Sequence, residues 1–250
     1  MRSTRVVQFS GGITSWAVAR RVADRYGVDD LVLLFADTQI EDDDLYAFVH
    51  ASAAQLGARL IRVADGRTPW QVFEDKQRLG NSLLAPCSYA LKILPCRRWL
   101  TANTDPASTV LYVGIDSSAR DRRRAPAIER GWLPWRVEFP LLDEPDLSKA
   151  DLLAEARALG LRPPRAYELG FDHANCGQLC VRGGQKHWLR TLEHFPDRFL
   201  DYEAREQRFR QRTGKNVAIL KERRAGRTLP LPLAELRRRH HAHTDADAVA

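Results

Sequence analysis

Val6-Val7-Gln8-Phe9-Ser10-Gly11-Gly12-Ile13-Thr14-Ser15 is the stretch on which the fold turns. An apolar strand, Arg5–Phe9, runs straight into Ser-Gly-Gly, and an amphipathic helix opens at Thr14 or Ser15. That helix continues to Tyr26, with Gly27 placed as its C-terminal cap. Two glycines let the backbone turn sharply and approach a ligand closely. The helix start offers unpaired N–H groups and the positive end of its dipole to an anion. Ser10, Thr14 and Ser15 add hydroxyl donors, so the turn suits a nucleotide phosphate. No Walker A spacing lies near it, which argues against an ordinary kinase or GTPase loop.

Outward from this turn, strands alternate with helices. Leu31–Phe35 is a continuous apolar run, the mark of a buried parallel strand. Asp42–Leu56 reads as a helix ending at Gly57, followed by strands at Leu60–Val63, Val110–Gly114 and Arg136–Phe139. Ser148–Leu159 is a helix with Ser148 as N-cap and Asp151 three residues on, a variant of the capping box. Residues 185–213 are helical throughout, with Pro196 starting a second segment. The fold class expected is α/β: a doubly wound, mostly parallel five-stranded sheet of Rossmann-like type, with a helical C-terminal region. Ligands of such sheets sit at the carboxyl ends of the strands. The expected organisation is a nucleotide-binding domain over 1–183, a helical extension over 184–243 and a disordered tail over 244–250.

Composition agrees with one sizeable core, since 44% of the 250 residues are hydrophobic. No run of about 18 apolar residues occurs, so no membrane span is expected. The first nine residues read as a strand and not a signal peptide, and the expected location is cytoplasmic. The net charge of +7 points to polyanionic partners. Arginine outnumbers lysine 33 to 6, a bias that a GC-rich genome also produces. Arg223, Arg224, Arg227, Arg237, Arg238 and Arg239 form either a phosphate-binding face or a solvated one. No interface between copies announces itself.

The Ser10–Ser15 loop resembles the SGGxxS loop of the PP-loop (adenine nucleotide alpha-hydrolase-like) superfamily. Further segments are similar to its phosphoadenosine phosphosulfate (PAPS) reductase-like family. Phe35-Ala36-Asp37-Thr38 looks like the segment that meets adenine and ribose there. Cys87-Ser88-Tyr89-Ala90-Leu91-Lys92-Ile93-Leu94-Pro95-Cys96-Arg97-Arg98 resembles a Cys-Cys…Arg-Lys…Pro-Leu element. Phe139-Pro140-Leu141-Leu142-Asp143, Tyr167-Glu168-Leu169-Gly170-Phe171 and Cys176 follow in the family's order, so the resemblance spans residues 5 to about 182.

The resemblance implies an adenine nucleotide, ATP with Mg2+, bound through Ser10, Gly11, Gly12, Thr14, Ser15, Phe35, Asp37, Gly114 and Arg120. Asp37 would bond a ribose hydroxyl or hold a metal, or else serve as N-cap of the next helix. Glu41, Asp42, Asp43 and Asp44 are either acids suited to a first helical turn or magnesium ligands. Lys92, Arg97 and Asp37 are the catalytic candidates, Lys92 and Arg97 as cations for phosphate oxygens. Arg120, Arg122, Arg123 and Arg124 are expected on a loop after the fourth strand. The reaction implied is adenylation of an acceptor with release of pyrophosphate, followed by sulfur insertion or transfer. Nucleic acid, DNA or tRNA, is the acceptor suggested by the superfamily's DNA-phosphorothioation members, and a sulfur-donor protein is a further partner.

Four cysteines stand at 87, 96, 176 and 180. In a cytosolic chain such pairs suggest metal binding before disulfides. All four would hold a [4Fe–4S] cluster or a structural Zn2+. Alternatively, Cys87, Cys176 and Cys180 hold a cluster with one open iron and Cys96 is simply buried, or all are buried free thiols. His173 and His187 are possible substitutes or supporting donors. Two departures matter. Ile13 and Thr14 stand where ATP-cleaving members carry Lys and Asp, so the cation must come from Lys92 or a later arginine. No cysteine follows Cys180, so the chain lacks the C-terminal nucleophile of true PAPS reductases. Two other readings stay open: a sulfonucleotide reductase using an external thiol, and a non-catalytic nucleotide- or nucleic-acid-binding module.

Overall fold

The computed structural model describes residues 4–144 and 147–247, with side chains through Ala242. Five parallel strands, β1 (Thr4–Gln8), β2 (Leu31–Asp37), β3 (Arg59–Ala64), β4 (Thr109–Val113) and β5 (Arg136–Glu138), form one sheet in the order β3-β2-β1-β4-β5. Val6 lies opposite Val32 on one side and Leu111 on the other. Alternate residues of the central strands enter two different cores, as a sheet covered on both faces requires. Val7, Phe9, Leu33 and Phe35 pack with α1 (Ile13–Tyr26), α2 (Asp43–Leu56) and α6 (Lys149–Ala158). Val6, Val32, Leu34 and Leu111 pack with α4 (Leu94–Asn103) and α5 (Ala119–Trp132). The doubly wound α/β architecture is therefore as the sequence reads.

Local chemistry explains most boundaries. Gly57 ends α2 in the left-handed region at φ 67°. Thr68 and Gln71 form a reciprocal capping box for α3 (Pro69–Asp75), and Ser148 with Asp151 forms another for α6. One expectation fails here: Arg120, Arg122, Arg123 and Arg124 lie on helix α5 and not on a loop. Ser118 caps that helix by accepting from the Asp121 N–H, and the helix tolerates Pro126 inside it.

Beyond residue 183, α7 (Gln185–His194) and α8 (Pro196–Thr213) break at Pro196 as expected. The chain then forms an unforeseen antiparallel hairpin, β6 (Leu220–Arg224) and β7 (Arg227–Leu231). Its two-residue turn, Ala225-Gly226, has positive φ at both positions, the conformation that suits a tight hairpin. Helix α9 (Leu233–Asp247) follows. It runs through residues 244–247, where disorder is expected, since alanine and the preceding turns favour propagation of the helix. Residues 248–250 of that expected tail lie outside the described residues.

A third core joins these elements to the first half of the chain. Trp70 and Phe73 of α3 pack with Trp188, Phe199, Tyr202 and Phe209 of α7 and α8, with Ile219, and with Leu220 and Leu231 of the hairpin. Buried Glu206 completes it by accepting from the N–H groups of Ile219 and Leu233, each at 2.7 Å. Among the described residues no helix is long and apolar enough to cross a membrane.

Candidate functional site

From β1 the chain moves outward to β2 and β3, then returns to β4 on the other side of β1. The Ser10-Gly11-Gly12 turn therefore lies at the switch point of the sheet, beside the end of β4. Gly11 adopts φ +76°, and a Cβ there would come within 2.7 Å of Leu45 on α2. Gly114, just past β4, faces the Ser15 backbone N, which a Cβ would approach to 2.9 Å. Hydroxyls then fix the turn. Ser15 Oγ donates to the Gly12 carbonyl at 2.7 Å and accepts from the Ser10 N–H at 3.2 Å. The Ile13 N–H donates to the Tyr167 hydroxyl at 2.9 Å. The first intrahelical bond runs from Trp16 N–H to Gly12 O, so the N–H groups of Thr14 and Ser15 precede it at the positive end of α1.

Beside this turn, β2 delivers Asp37. Its carboxylate accepts from Gln39 N–H and Tyr46 Oη, both at 2.7 Å, and from Arg62 Nε at 2.8 Å. Burial alone would raise its pKa, but these donors together lower it. Asp37 thus anchors the β2–α2 loop, while the N-cap position of α2 falls to Asp42. Phe35, expected near a nucleoside, instead turns into the core edge-on to Tyr46.

Glu41 is buried and accepts from Thr38 Oγ1 at 2.8 Å and from the Cys176 N–H. Burial raises its pKa in spite of those bonds and of Lys92 Nζ at 4.0 Å. Lys92 sits on a π-helical turn, Ser88–Ile93, directly before α4. Pro95 has no N–H and crowds the preceding carbonyls, so the turn widens and the Leu94 N–H reaches Tyr89 O. Burial works against the Lys92 charge, but Cys176, Glu41, Cys180 and Cys87 face it and raise its pKa overall.

The cysteine loop closes the site from the other side. Cys176, Gly177 and Gln178 all have positive φ, at 62°, 54° and 62°. Such a run persists only where its surroundings hold it. Asn175 Nδ2 donates to Ser10 O at 2.6 Å, tying this loop to the glycine turn. Arg198 Nη1 donates to Gly177 O at 3.1 Å and pairs with Asp42 Oδ1 at 2.6 Å. Thr191 Oγ1 donates to Gln178 O, and His187 Nε2 contacts the same oxygen, each at 2.9 Å. Within the loop Cys176 and His173 neighbour Cys180, and the His173 ring stacks on that of His187. The neighbouring Cys176 and His173 groups hold the Cys180 thiol well below its ordinary pKa, and Cys180 together with burial holds the Cys176 thiol well above it.

Several candidates lie elsewhere. Cys96 is buried on the opposite face with Leu100 and Trp132, and burial pushes its thiol up to about 12. Arg97 bonds the carbonyls of Gly131 and Leu133 and lies over the Trp132 and Trp135 rings. Arg120 is exposed in the first turn of α5. The C-terminal arginines split: Arg223, Arg224 and Arg227 are exposed on the hairpin, whereas Arg237, Arg238 and Arg239 pair with Glu203, Glu235 and Glu222. Conversely Tyr167, Asn175 and Arg198 hold the site together without having been singled out as site residues. Tyr167 sits in a family-like segment, whereas Arg198 carries no sequence signal.

The four-cysteine metal site does not fit this arrangement. Cys96 belongs to another core, on the opposite face of the sheet from the other three cysteines. Among the described residues no group of three or more His, Cys, Asp or Glu side chains is set to hold a metal ion. Of two cavities, one borders the site and one does not. One of about 290 Å³ is lined by Glu41, Asp42, Asp43, Asp44, Arg165 and Arg198. The other, about 550 Å³, lies along the C-terminal half of α1 and β5, lined by residues such as Arg21, Arg25, Tyr112 and Arg136, away from the glycine turn.

No family model matches the chain, and no curated protein matches it. Among solved structures, it is similar to phosphoadenylyl-sulfate (PAPS) reductase from Candida auris in its phosphate complex. That likeness has 14% identity and a TM-score of 0.45, over 68% of this chain and 78% of the other. It is also similar to the NH3-dependent NAD synthetase from Campylobacter jejuni in complex with nitrate, at 16% identity and a TM-score of 0.40, over 86% of each chain.

Proposed function

We propose that this chain is a PP-loop nucleotide-binding enzyme that adenylates an acceptor and releases pyrophosphate. The observation that carries the reading is the Ser10-Gly11-Gly12 turn at the switch point, with the α1 N–H groups above it and Gly114 opposite. Phosphate oxygens take the Thr14 and Ser15 N–H groups and the Ser10 hydroxyl. Tyr167, whose hydroxyl already meets the Ile13 N–H, donates its own proton to the same oxygens. Lys92 supplies the cation that the loop lacks at Ile13-Thr14, and stabilises charge that develops as the bond between α- and β-phosphate breaks. Mg2+ arrives on the nucleotide phosphates, because no set of carboxylates is arranged for it among the described residues. Sulfur transfer to the adenylated acceptor is the downstream use favoured by the thiols of Cys87, Cys176 and Cys180 around Lys92. No cluster is assigned to that step. A nucleic-acid acceptor has the exposed hairpin arginines as its support.

Calorimetric titration with Mg-ATP tests the site. Wild-type protein should bind, and Gly12→Val should abolish binding while far-UV circular dichroism is kept, since a Cβ at Gly12 already meets Tyr167 Oη at 3.3 Å. Binding that survives this change would remove the assignment. Lys92→Gln should retain most of the affinity yet stop pyrophosphate release with any acceptor that supports it.

A further inference from the structure

We propose that the β6–β7 hairpin is a docking surface for double-stranded DNA, entering the major groove with its arginines against the phosphates, which rests on the nucleic-acid acceptor named above and narrows it to one class. The segment 220–231 carries four cations, Lys221, Arg223, Arg224 and Arg227, and one carboxylate, Glu222. Glu222 is drawn back to Arg239 of α9 at 2.7 Å, so only cations remain toward the tip. Residues 223–229 are exposed without interruption. Among the described residues no carboxylate forms an ion pair with Arg223, Arg224 or Arg227. Arg224 and Arg227 stand directly opposite each other across the two-residue turn, an arrangement that like charges disfavour. Ala225 adds to the cost, because it holds φ at 48° without the freedom of glycine. An anion seated between the two guanidiniums removes the repulsion, and phosphate oxygens match their forked donors.

Shape selects the partner. Leu220 and Leu231 lie opposite each other and root the ribbon in the core that α7, α8 and α9 share. At about 3.4 Å per residue, Arg224 stands about 14 Å beyond that root. A B-form major groove is about 12 Å wide and about 8.5 Å deep, and it admits a two-stranded ribbon. The tip therefore spans the depth of the groove while the root stays outside it. Arg223 pairs across the strands with Thr228, and Arg224 with Arg227, and these successive pairs lie on opposite faces of the ribbon. Each face thus carries a cation toward one wall of phosphates. The major groove of duplex RNA is too narrow and deep for such an entry. Single strands are held by stacking on aromatic rings, and segment 220–231 has none.

The test is fluorescence anisotropy of the full chain with a labelled DNA duplex, between about 50 and about 200 mM salt. Arg223→Ala, Arg224→Ala and Arg227→Ala combined should weaken binding at least about tenfold. They should also lower the slope of log K against log salt by about 2 to 3, the share of three phosphate contacts. Lysine at the same three positions should keep the slope. Arg25→Ala, Arg130→Ala and Arg162→Ala combined remove as much charge from exposed positions on α1, on α5 and after α6. That control should change the affinity less than about twofold, since those positions lie off the ribbon. Methyl green, which occupies the major groove, should displace the protein, and distamycin, which occupies the minor groove, should not. Equal losses from the two triple variants, displacement by distamycin, or tighter binding to single-stranded DNA or duplex RNA would each overturn the proposal. Calorimetry with Mg-ATP keeps the two readings apart. A wild-type chain that binds Mg-ATP but no duplex overturns the role of the hairpin and leaves the nucleotide site standing. A Gly12→Val chain that loses Mg-ATP should still bind the duplex.

Discussion

The glycine turn at Ser10–Gly12 and the cysteine turn at Asn175–Gln178 touch each other, yet they are made in opposite ways. The first is local: a strand, two glycines and a helix start, with the Ser15 hydroxyl bonding back three residues to Gly12. The second has little local support, since two of its three left-handed residues are not glycine. It stands because the β2–α2 loop, α7 and α8 hold its backbone through Glu41, Thr191, His187 and Arg198. A ligand site assembled from both inherits one part that the sequence dictates nearby and one part that exists only in the finished fold.

Substitutions in the two turns separate these modes. Gly11→Ala forces a Cβ into the left-handed region and against Leu45 and Val49 at 2.7 and 2.8 Å. Left-handed strain and overpacking of a helix in the core together predict a loss of about 4 kcal/mol in urea unfolding. A loss under about 1 kcal/mol would mean that α2 yields easily, and the turn is less rigid than its contacts suggest.

The cysteine turn should answer to pH instead. Burial, with His173 beside it, pushes His187 down to about 4, so the folded protein resists protonating it. The unfolded chain takes that proton near the ordinary value of 6.5. Stability from this group is therefore complete above pH 6.5 and declines as pH falls toward 4, by up to about 3 kcal/mol. Denaturant midpoints measured across that range should slope in the wild type and flatten in His187→Gln. An unchanged slope would show that His187 is not the group that titrates.

Gly177→Ala should cost as much as Gly11→Ala, about 4 kcal/mol. Its Cβ would meet the Ile40 carbonyl oxygen at 2.5 Å, a backbone atom of the loop that Asp37 and Glu41 anchor on either side. Hydrogen exchange should then quicken at Cys176, whose N–H bonds Glu41, and stay slow at Trp16 in α1. The smallest effect is expected for Asn175→Ala, about 1 kcal/mol for the bond to Ser10 O. If that change alters exchange in neither turn, the two are not coupled through this side chain.

These differences explain what the sequence discloses. Strand positions, the Ser148–Asp151 capping box and the break at Pro196 are written in neighbouring residues, and all are read correctly. The β6–β7 hairpin escapes notice because its strands, Leu-Lys-Glu-Arg-Arg and Arg-Thr-Leu-Pro-Leu, bury only Leu220 and Leu231 and show no alternation. Helix α5 is hidden by its charge and by Pro126, although Ser118 with Asp121 was a usable start signal. Site residues divide along the same line. Ser10, Gly11, Gly12 and Gly114 meet at the switch point, whereas Arg97 and Cys96 share a helix near Lys92 but face another core. Helical phase separates them, and spacing alone did not reveal it because the turn before α4 is π-helical.

The core shared by α3 and the C-terminal helices sets an order of events during folding. Trp70 and Phe73 wait for Trp188, Phe199 and Tyr202, more than a hundred residues later, before they leave water. Contacts so distant along the chain form late. Arg198 rides on α8, so its grip on Gly177 and Asp42 is made only when that helix docks. On a ribosome the glycine turn would be ready long before the thiols are set in place, and the two halves of the site would mature at different times.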